Sequence, residues 1–467
     1  MNIDLNNYRF IYFIGAGGIG MSNLVRYFLS KGIRVAGYDK TATALTSELI
    51  KEGADIHFED NLSRIPSCFM EDSSATLVVY TPAVPSSHSE LVYFQTNGFA
   101  VVKRAQLLGL ITRASMGLCV AGTHGKTTTS SMLAHLLHQS SVGCNAFLGG
   151  ILKNYQSNLI LSDSSPYTVI EADEYDRSFH WLTPYAAVIT SADPDHLDIY
   201  HTEEAYLESF AHFTSLIRPD GILLMKEGIH VTPRCPESTK QYSYSIEGNG
   251  DFKATNIRIG NGTILFDFVS PLCTEAIPNI ELGVPVEINI ENAVAAMAIA
   301  QLCGASPDEM RSAMASFQGA KRRFDIHLKQ GRQVMIDDYG HHPAEVLASI
   351  RSVKRLFSDR QLTVIFQPHL YSRTADFYAE FAEALSYADE LILLDIYPAR
   401  EEPIEGITSQ LIFDRVHSPL KTLCVKDDLM KIIRERDDRE VVMTLGAGDI
   451  DQFIQPIKEH LQQCGRK

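Results

Sequence analysis

From Gly122 to Thr128 the chain reads Gly-Thr-His-Gly-Lys-Thr-Thr, a spacing that suits the phosphates of a nucleoside triphosphate. Glycines let backbone amides turn toward an anion, a helix N-terminus adds partial positive charge, and Lys126 can reach the β and γ phosphates. Thr127 can offer its hydroxyl to magnesium, while Thr123, His124, Gly125 and Thr128 complete the loop. The strict G-x-x-x-x-G-K-[ST] pattern is missed at one place, where Val120 stands for its first glycine. A second loop, FIGAGGIGMS, carries Gly15, Gly17 and Gly20 with Ala16, Gly18 and Ile19 between them. Asp39 follows about twenty residues on, at the end of the next expected strand, as in the dinucleotide fingerprint. That pattern fits a nicotinamide-dependent oxidoreductase. The loop itself specifies only a diphosphate on a helix N-terminus, which a UDP-linked sugar carries equally well.

Two further segments bring acids and a histidine toward the triphosphate loop. Glu171 in VIEADEYDRSF and His196 in SADPDHLD are candidate magnesium ligands, because a hard cation on phosphates takes few protein ligands and keeps several waters. Asp173, Glu174, Asp176, Asp195 and Asp198 are additional candidates, each equally readable as a solvated strand-end acid. Near the other end lie DDYGHHPAE, FQPHLYSRT and TLGAGD. His341 and His342 beside Asp337 and Asp338 suggest a metal site at first sight. Adjacent residues on an extended strand point to opposite faces, however, so roles in orienting nucleotide or substrate suit them better.

The elements that must position these groups alternate strand and helix. YRFIYFIG and IRVAGYD read as strands around a helix bearing Met21, Leu24, Val25, Phe28 and Leu29, and ATLVVYTP and FAVV continue the series. LCVAG is an apolar strand feeding the triphosphate loop, and TTTSSMLAHLLH is the helix after it. YTVIEAD and AAVITSAD are strands ending in acids, which places those acids beyond the carboxyl edge of a parallel sheet, beside the loop. The stretch from 240 to 290 reads as β-rich, followed by a packed helix in IENAVAAMAIAQLCG. After the basic linker FQGAKRRF, the strands VMIDDY, LTVIFQ, ELILLDIY and EVVMTLGAGD alternate with helical patterns. The chain is therefore α/β throughout.

At 467 residues the chain is long enough for roughly two to four domains. Its formal charge of -16 argues against a nucleic-acid backbone or an anionic membrane as main partner. The N-terminus has neither the basic region nor the cleavage site of a signal peptide, and no apolar stretch is long enough to span a bilayer, so a cytoplasmic protein is expected. Eight scattered cysteines form no C-x-x-C pair and show no histidine partner at zinc-finger spacing; they are expected to carry no function.

Taken in order, GAGGIGMS, GTHGKTTT, EADEYDRSF, DPDHLD, NIENAVAA, GAKRRFD, DDYGHHPAE, FQPHLYSRT, DIYPAREEPIEG and GAGD resemble the Mur ligases over essentially the whole length, and most of all their alanine-adding branch. The resemblance implies three domains: a Rossmann-like UDP-sugar domain over 1–105, a central P-loop ATPase-type α/β domain over 106–320, and a Rossmann-like C-terminal α/β domain over 321–467. It implies that ATP, UDP-N-acetylmuramate and L-alanine become UDP-N-acetylmuramoyl-L-alanine, ADP and phosphate in peptidoglycan precursor synthesis, by a monomer or weak homodimer. By this resemblance the Gly15–Gly20 loop and Asp39 serve the UDP sugar. Lys126 steadies the γ-phosphoryl group, and Thr127, Glu171 and His196 hold magnesium. Asn292, helped by Asn289, contacts adenine. Arg323 and Asp338 serve the phosphates from the domain junction, and Tyr339, His341 and Arg373 meet nucleotide or substrate on closure.

Two departures from the pattern stand out. No lysine occurs between His196 and Ile217, which agrees with the alanine-adding branch, and Leu370 stands where that branch often has arginine. The nearest rival is the recycling ligase that joins a tripeptide to the same sugar. A catalytically inactive nucleotide-binding scaffold is the rival from outside the enzymes.

Overall fold

The structure is a computed structural model that describes residues 3–194, 197–246, 248–260, 262–399 and 401–465, with the backbone alone for 197 and 198. By contact density it divides into two compact units. The first comprises residues 1–253, 269–276 and 292–313; the second comprises 254–268, 277–291 and 314–467.

The first unit opens with β1 (Phe10–Ile14), β2 (Arg34–Tyr38), β3 (Asp55–His57), β4 (Thr76–Tyr80) and β5 (Ala100–Lys103). These form an all-parallel sheet of order β3-β2-β1-β4-β5. Helices α1 (Ile19–Ser30), α2 (Ala44–Lys51) and α3 (Ser89–Thr96) lie in its crossovers, and α4 (Arg104–Ala114) follows β5. The alternation of β1 explains why the sheet is covered on both faces. Ile11 and Phe13 join the apolar cluster that contains Leu24, Val25 and Phe28 of α1, while Tyr12 and Ile14 join the one that contains Phe69 and Phe94. Gly37 lets β2 run close to β1, since a Cβ there would lie 2.2 Å from the Phe13 carbonyl oxygen. Strand order reverses at β1, so the loop after it sits where open parallel sheets bind ligands.

The same unit continues with β6 (Met116–Ala121), α5 (Lys126–His138), β7 (Asn145–Leu152), β8 (Ser157–Ile160), β9 (Tyr167–Glu171) and β10 (Ala186–Ile189). After these come α6 (Leu197–Tyr200), α7 (Glu203–Ser215), β11 (Ile222–Lys226) and β12 (Lys240–Ile246). Their order is β12-β11-β10-β6-β9-β7-β8, parallel except for β8. β6 is fully flanked, with β9 on one side and β10 on the other. The loop after β6 is therefore walled by the ends of both neighbours.

In the second unit, β13 (Phe252–Gly260), β14 (Thr263–Val269) and β15 (Ile277–Glu281) are consecutive neighbours, β14 and β15 being antiparallel. Helices α8 (Ile288–Leu302) and α9 (Pro307–Ser316) follow in the chain. The remaining strands of the second unit are β16 (Asp325–Gln330), β17 (Gln333–Asp338), β18 (Leu362–Phe366), β19 (Glu390–Leu394), β20 (Leu420–Cys424) and β21 (Val441–Leu445). They are ordered β16-β17-β21-β18-β19-β20, parallel apart from β16. Helices α10 (Pro343–Leu356), α11 (Tyr371–Leu385), α12 (Gln410–Phe413), α13 (Leu429–Arg434) and α14 (Ile454–Cys464) complete it. α10 starts with Pro343 in its first turn, and Glu345 reaches back to the amide of His342, a local signal that fixes where the helix begins. Among the described residues no helix is long and apolar enough to cross a membrane.

Candidate active site

The loop after β6 turns because two glycines take conformations that other residues avoid. Gly122 has φ +142° and Gly125 φ +82°. A Cβ on Gly122 would lie 2.1 Å from Thr190 Oγ1, and one on Gly125 would lie 2.7 Å from Asn292 Oδ1. The strand ends buttress the loop: the His124 amide donates to Ser191 Oγ at 2.7 Å, and Thr123 Oγ1 donates to the Asp193 carbonyl at 2.7 Å. No described side chain caps the N-terminus of α5, which leaves its first amides to an anion. Thr128 lies half-buried in that first turn.

Lys126 is held within this loop. Its Nζ donates to the carbonyls of Gly122 at 2.5 Å and Thr123 at 3.4 Å, and to Glu174 Oε1 at 2.7 Å. Glu174 is 1% exposed, and burial pushes its carboxyl above the ordinary range while the Lys126 ammonium pulls it down. Glu174 is thus the partner of Lys126, a role its place in the sequence did not reveal. Thr127 Oγ1 donates to Glu171 Oε1 at 2.8 Å, and the Gly149 amide donates to the other oxygen of Glu171 at 3.1 Å. A hydroxyl and a carboxylate side by side at the edge of an anion loop form the hard-oxygen donor set that magnesium takes. Asp173 accepts from the Tyr175 amide at 3.1 Å, and Asp176 is exposed. Asp195 and His196 lie outside the described residues, as does the side chain of Asp198. Asn292 faces the loop and accepts from Thr129 Oγ1 at 3.1 Å.

The loop after β1 repeats the arrangement. Gly15 has φ +91°, and a Cβ there would lie 2.5 Å from Thr81 Cγ2. Ala16 is buried, whereas Ile19 at the head of α1 is 54% exposed. Gly18 precedes α1 with no described side-chain cap, so this helix too offers unengaged amides. Asp39 accepts from the Gly17 amide at 2.6 Å and the Thr41 amide at 3.0 Å, so it holds the loop in shape as well as standing beside it. At Gly20 a Cβ would come within 2.9 Å of Arg104 Nη1. Sequence reasoning missed Arg104, which lies more than eighty residues along the chain and reaches the loop only because β4 returns beside β1 and β5 beside β4.

The second unit gathers its own cations at the carboxyl ends of β17, β21 and β18. Arg322 and Arg323 are adjacent but do different work. Arg322 binds Asp337 at 3.4 Å and the Gly446 and Gly448 carbonyls at 2.6 and 3.2 Å. Arg323 lies over the Tyr339 ring at 5.4 Å, and among the described residues its guanidinium makes no hydrogen bond or ion pair. Arg322 and Phe324 on either side have φ of +60° and +43°, strained values that set the direction of Arg323. Asp338 is buried and accepts from the amides of Phe324 and Tyr339, each at 3.0 Å, and from Ser349. Burial pushes its carboxyl up. Asp338 therefore pins the Arg323 segment to β17.

His341 Nδ1 meets the Tyr339 carbonyl at 3.1 Å. Burial holds its pKa below that of an ordinary histidine, helped by Arg373 and Arg323 and opposed by Glu345. Arg373, in the first turn of α11, has a buried Nη1 with no hydrogen-bond partner among the described residues. Leu370, just before α11, has φ +72° and occupies its site through backbone hydrogen bonds, its amide to the Tyr397 carbonyl at 3.0 Å. Asn289 donates to the Val284 carbonyl at 3.2 Å. His342 stacks edge-on with Phe377 rather than joining His341, so the two histidines do not form one metal site.

These features, two glycine loops before uncapped helices in one unit and an arginine-rich strand edge in the other, suit a ligase that uses a nucleoside triphosphate, and comparison with known proteins gives the class. Residues 10–116 match "Mur ligase family, catalytic domain", 120–300 match "Mur ligase middle domain", and 322–448 match "Mur ligase, glutamate ligase domain". The chain belongs to the Mur ligase family, with its three-domain α/β architecture. It is 64% identical over 465 residues to the UDP-N-acetylmuramate–L-alanine ligase of Parabacteroides distasonis, covering 100% of both chains. Among solved structures it is similar to the UDP-N-acetylmuramate–alanine ligase of Thermotoga maritima, with TM-score 0.77, 25% identity, and 97% of this chain and 99% of that one covered. The murein peptide ligase of Psychrobacter arcticus shares the fold at TM-score 0.62 and 22% identity, over 98% of each chain.

Proposed function

We propose that this protein is the cytoplasmic ligase that joins L-alanine to UDP-N-acetylmuramate at the expense of ATP, in the synthesis of peptidoglycan precursors. The observation that carries this reading is the 64% identity, along the full length of both chains, with a relative bearing that name. We assign the UDP sugar to residues 1–105, ATP to 106–320, and the groups that meet nucleotide and amino acid to 321–467.

A lactyl carboxylate is a poor electrophile at neutral pH, so the reaction first makes it an acyl phosphate by in-line transfer of the γ-phosphoryl group, with release of ADP. The protein's share of that step is positioning and charge neutralisation. Lys126 leaves Glu174 for the γ-phosphoryl oxygens, and the first amides of α5 hold the β-phosphate. Thr127, Glu171 and His196 are the residues to hold magnesium, which supplies charge neutralisation on the phosphates when bound. Arg323 and Arg373 have the unengaged N–H groups suited to phosphoryl oxygens and to the carboxylate of the amino acid. The neutral amine of alanine then attacks the acyl carbon, and the tetrahedral intermediate expels phosphate. Asn292 and Asn289 are assigned to the adenine, Asp338 to the phosphates with Arg323, whose segment it also holds, and Tyr339 and His341, with Arg373, to nucleotide or substrate on closure.

The test is phosphate release measured with ATP, UDP-N-acetylmuramate and single amino acids. Release that requires both the sugar nucleotide and alanine is expected. Turnover with a tripeptide and none with alanine would assign the recycling reaction instead, and no ADP with any combination would make the chain a scaffold.

A further inference from the structure

Beyond the ligase reaction, we infer that Asp437, His460 and Cys464 form a binding site for one thiophilic divalent cation of the zinc type. The three donor atoms already surround a common point: Cys464 Sγ is 3.5 Å from Asp437 Oδ1 and 3.7 Å from His460 Nε2, and His460 Nε2 is 3.8 Å from Asp437 Oδ1. Bonds of about 2.3 Å to sulfur and about 2.0–2.1 Å to nitrogen and oxygen give tetrahedral edges of about 3.3–3.6 Å, so the trio needs to contract by only a few tenths of an ångström.

Both sides of the site are built. His460 and Cys464 stand four residues apart on α14, on one face of the helix, while Ile457 and Leu461 fix that helix in the core. Asp437 sits in the turn between α13 and β21, and arginines on each side hold that turn. Arg436 binds Asp438 at 3.0 Å, and the buried Arg439 binds both oxygens of Glu390 at 2.8 Å and the Ile433 carbonyl at 2.8 Å. His460 is 13% exposed and Asp437 is 53% exposed at the side chain, which leaves the fourth position open to water. A soft thiolate with imidazole and one carboxylate selects zinc, cobalt or nickel over magnesium, so the site is chemically separate from the pair at Thr127 and Glu171. On binding, the Cys464 thiol loses its proton to solvent, His460 binds as the neutral imidazole through Nε2, and the cation clips α14 to the α13–β21 turn.

The experiment is a Co²⁺ titration of the full-length protein in excess Mg²⁺, followed by the thiolate-to-cobalt charge-transfer band. One saturable equivalent is expected, with the band erased by Zn²⁺ and lost in both Cys464→Ser and His460→Gln. Circular dichroism checks that each variant is folded. A band that survives either substitution in a folded protein, or no band in the wild type at millimolar Co²⁺, overturns the assignment.

Discussion

Glu174→Gln keeps the size of the side chain that holds Lys126 and removes its charge. In the loop Glu174 Oε1 takes a charge-assisted hydrogen bond from Lys126 at 2.7 Å, with both groups largely out of water at 2% and 15% side-chain exposure. Such a bond is worth about 1.5–3 kcal/mol and a bond to a neutral acceptor about 1, so the substitution loosens the hold by about 0.5–2 kcal/mol. If the γ-phosphoryl group takes Lys126 from Glu174, that amount is returned to ATP binding, about two- to thirtyfold in affinity. The sign of the pH effect follows from the same contact. Lys126 is the chief influence lowering the pKa of Glu174 against burial, so its departure raises that pKa further and the carboxyl takes up a proton. Wild-type ATP affinity is therefore expected to fall as pH rises between the ATP-free and the higher ATP-bound pKa of Glu174. In the glutamine variant that slope disappears. Calorimetric titration with a non-hydrolysable ATP analogue and magnesium, in buffers of different ionisation enthalpy, reads both quantities. Weaker nucleotide binding in Glu174→Gln with the proton uptake unchanged would refute the reasoning and make Glu174 an ally of the phosphate.

Three further outcomes are expected. Lys126→Ala abolishes ADP formation but leaves UDP-sugar binding, measured by calorimetry, close to wild type, because the two loops stand on different sheets; loss of UDP-sugar affinity in a folded variant contradicts that division. Arg104→Ala raises the KM for the UDP sugar by about ten- to a hundredfold through loss of a charged contact, with kcat little changed; an unchanged KM removes Arg104 from that site. Glu90, fully buried and bonded to the Tyr12 hydroxyl at 2.8 Å, has its carboxyl pushed up from 4.5 to about 7 by burial. Its raised value means that its contribution to stability is complete below about pH 4.5 and is lost as pH rises through about 7, a change of about 3 kcal/mol. Glu90→Gln should flatten that dependence in native-state hydrogen exchange of the β1–β5 amides, and an unaltered slope counts against it.

The parts of the site written locally in the chain were legible. Gly122, Gly125 and Lys126 lie within five residues, and the strand before them and the helix after them are set by short-range patterning, so sequence alone located the glycine turn between β6 and α5. The same held for Gly15 to Gly20 with Asp39, although the structure adds that Asp39 fastens the Gly17 amide. What escaped was non-local. Arg104 reaches Gly20 only through strand order, and Glu174 finds Lys126 only because β9 lies beside β6. The division of labour between Arg322 and Arg323 depends on positive φ values that no pattern of residue types announces. Strand β7 was missed because NAFLGGIL has no clear alternation and two central glycines. His460 and Cys464 were passed over because a helical spacing of four completes a ligand set only when Asp437 arrives from elsewhere.

The helix N-termini that follow the two glycine loops of the first unit also bear on how such a protein can be blocked. Each offers glycine-loop amides suited to a diphosphate, and nothing in that shared chemistry tells one nucleotide from the other. A compound built around a diphosphate mimic would therefore find two footholds and acquire little selectivity from either. Discrimination must come from what borders each loop: Arg104 beside Gly20 in one case, Asn292 and the Lys126–Glu174 pair in the other.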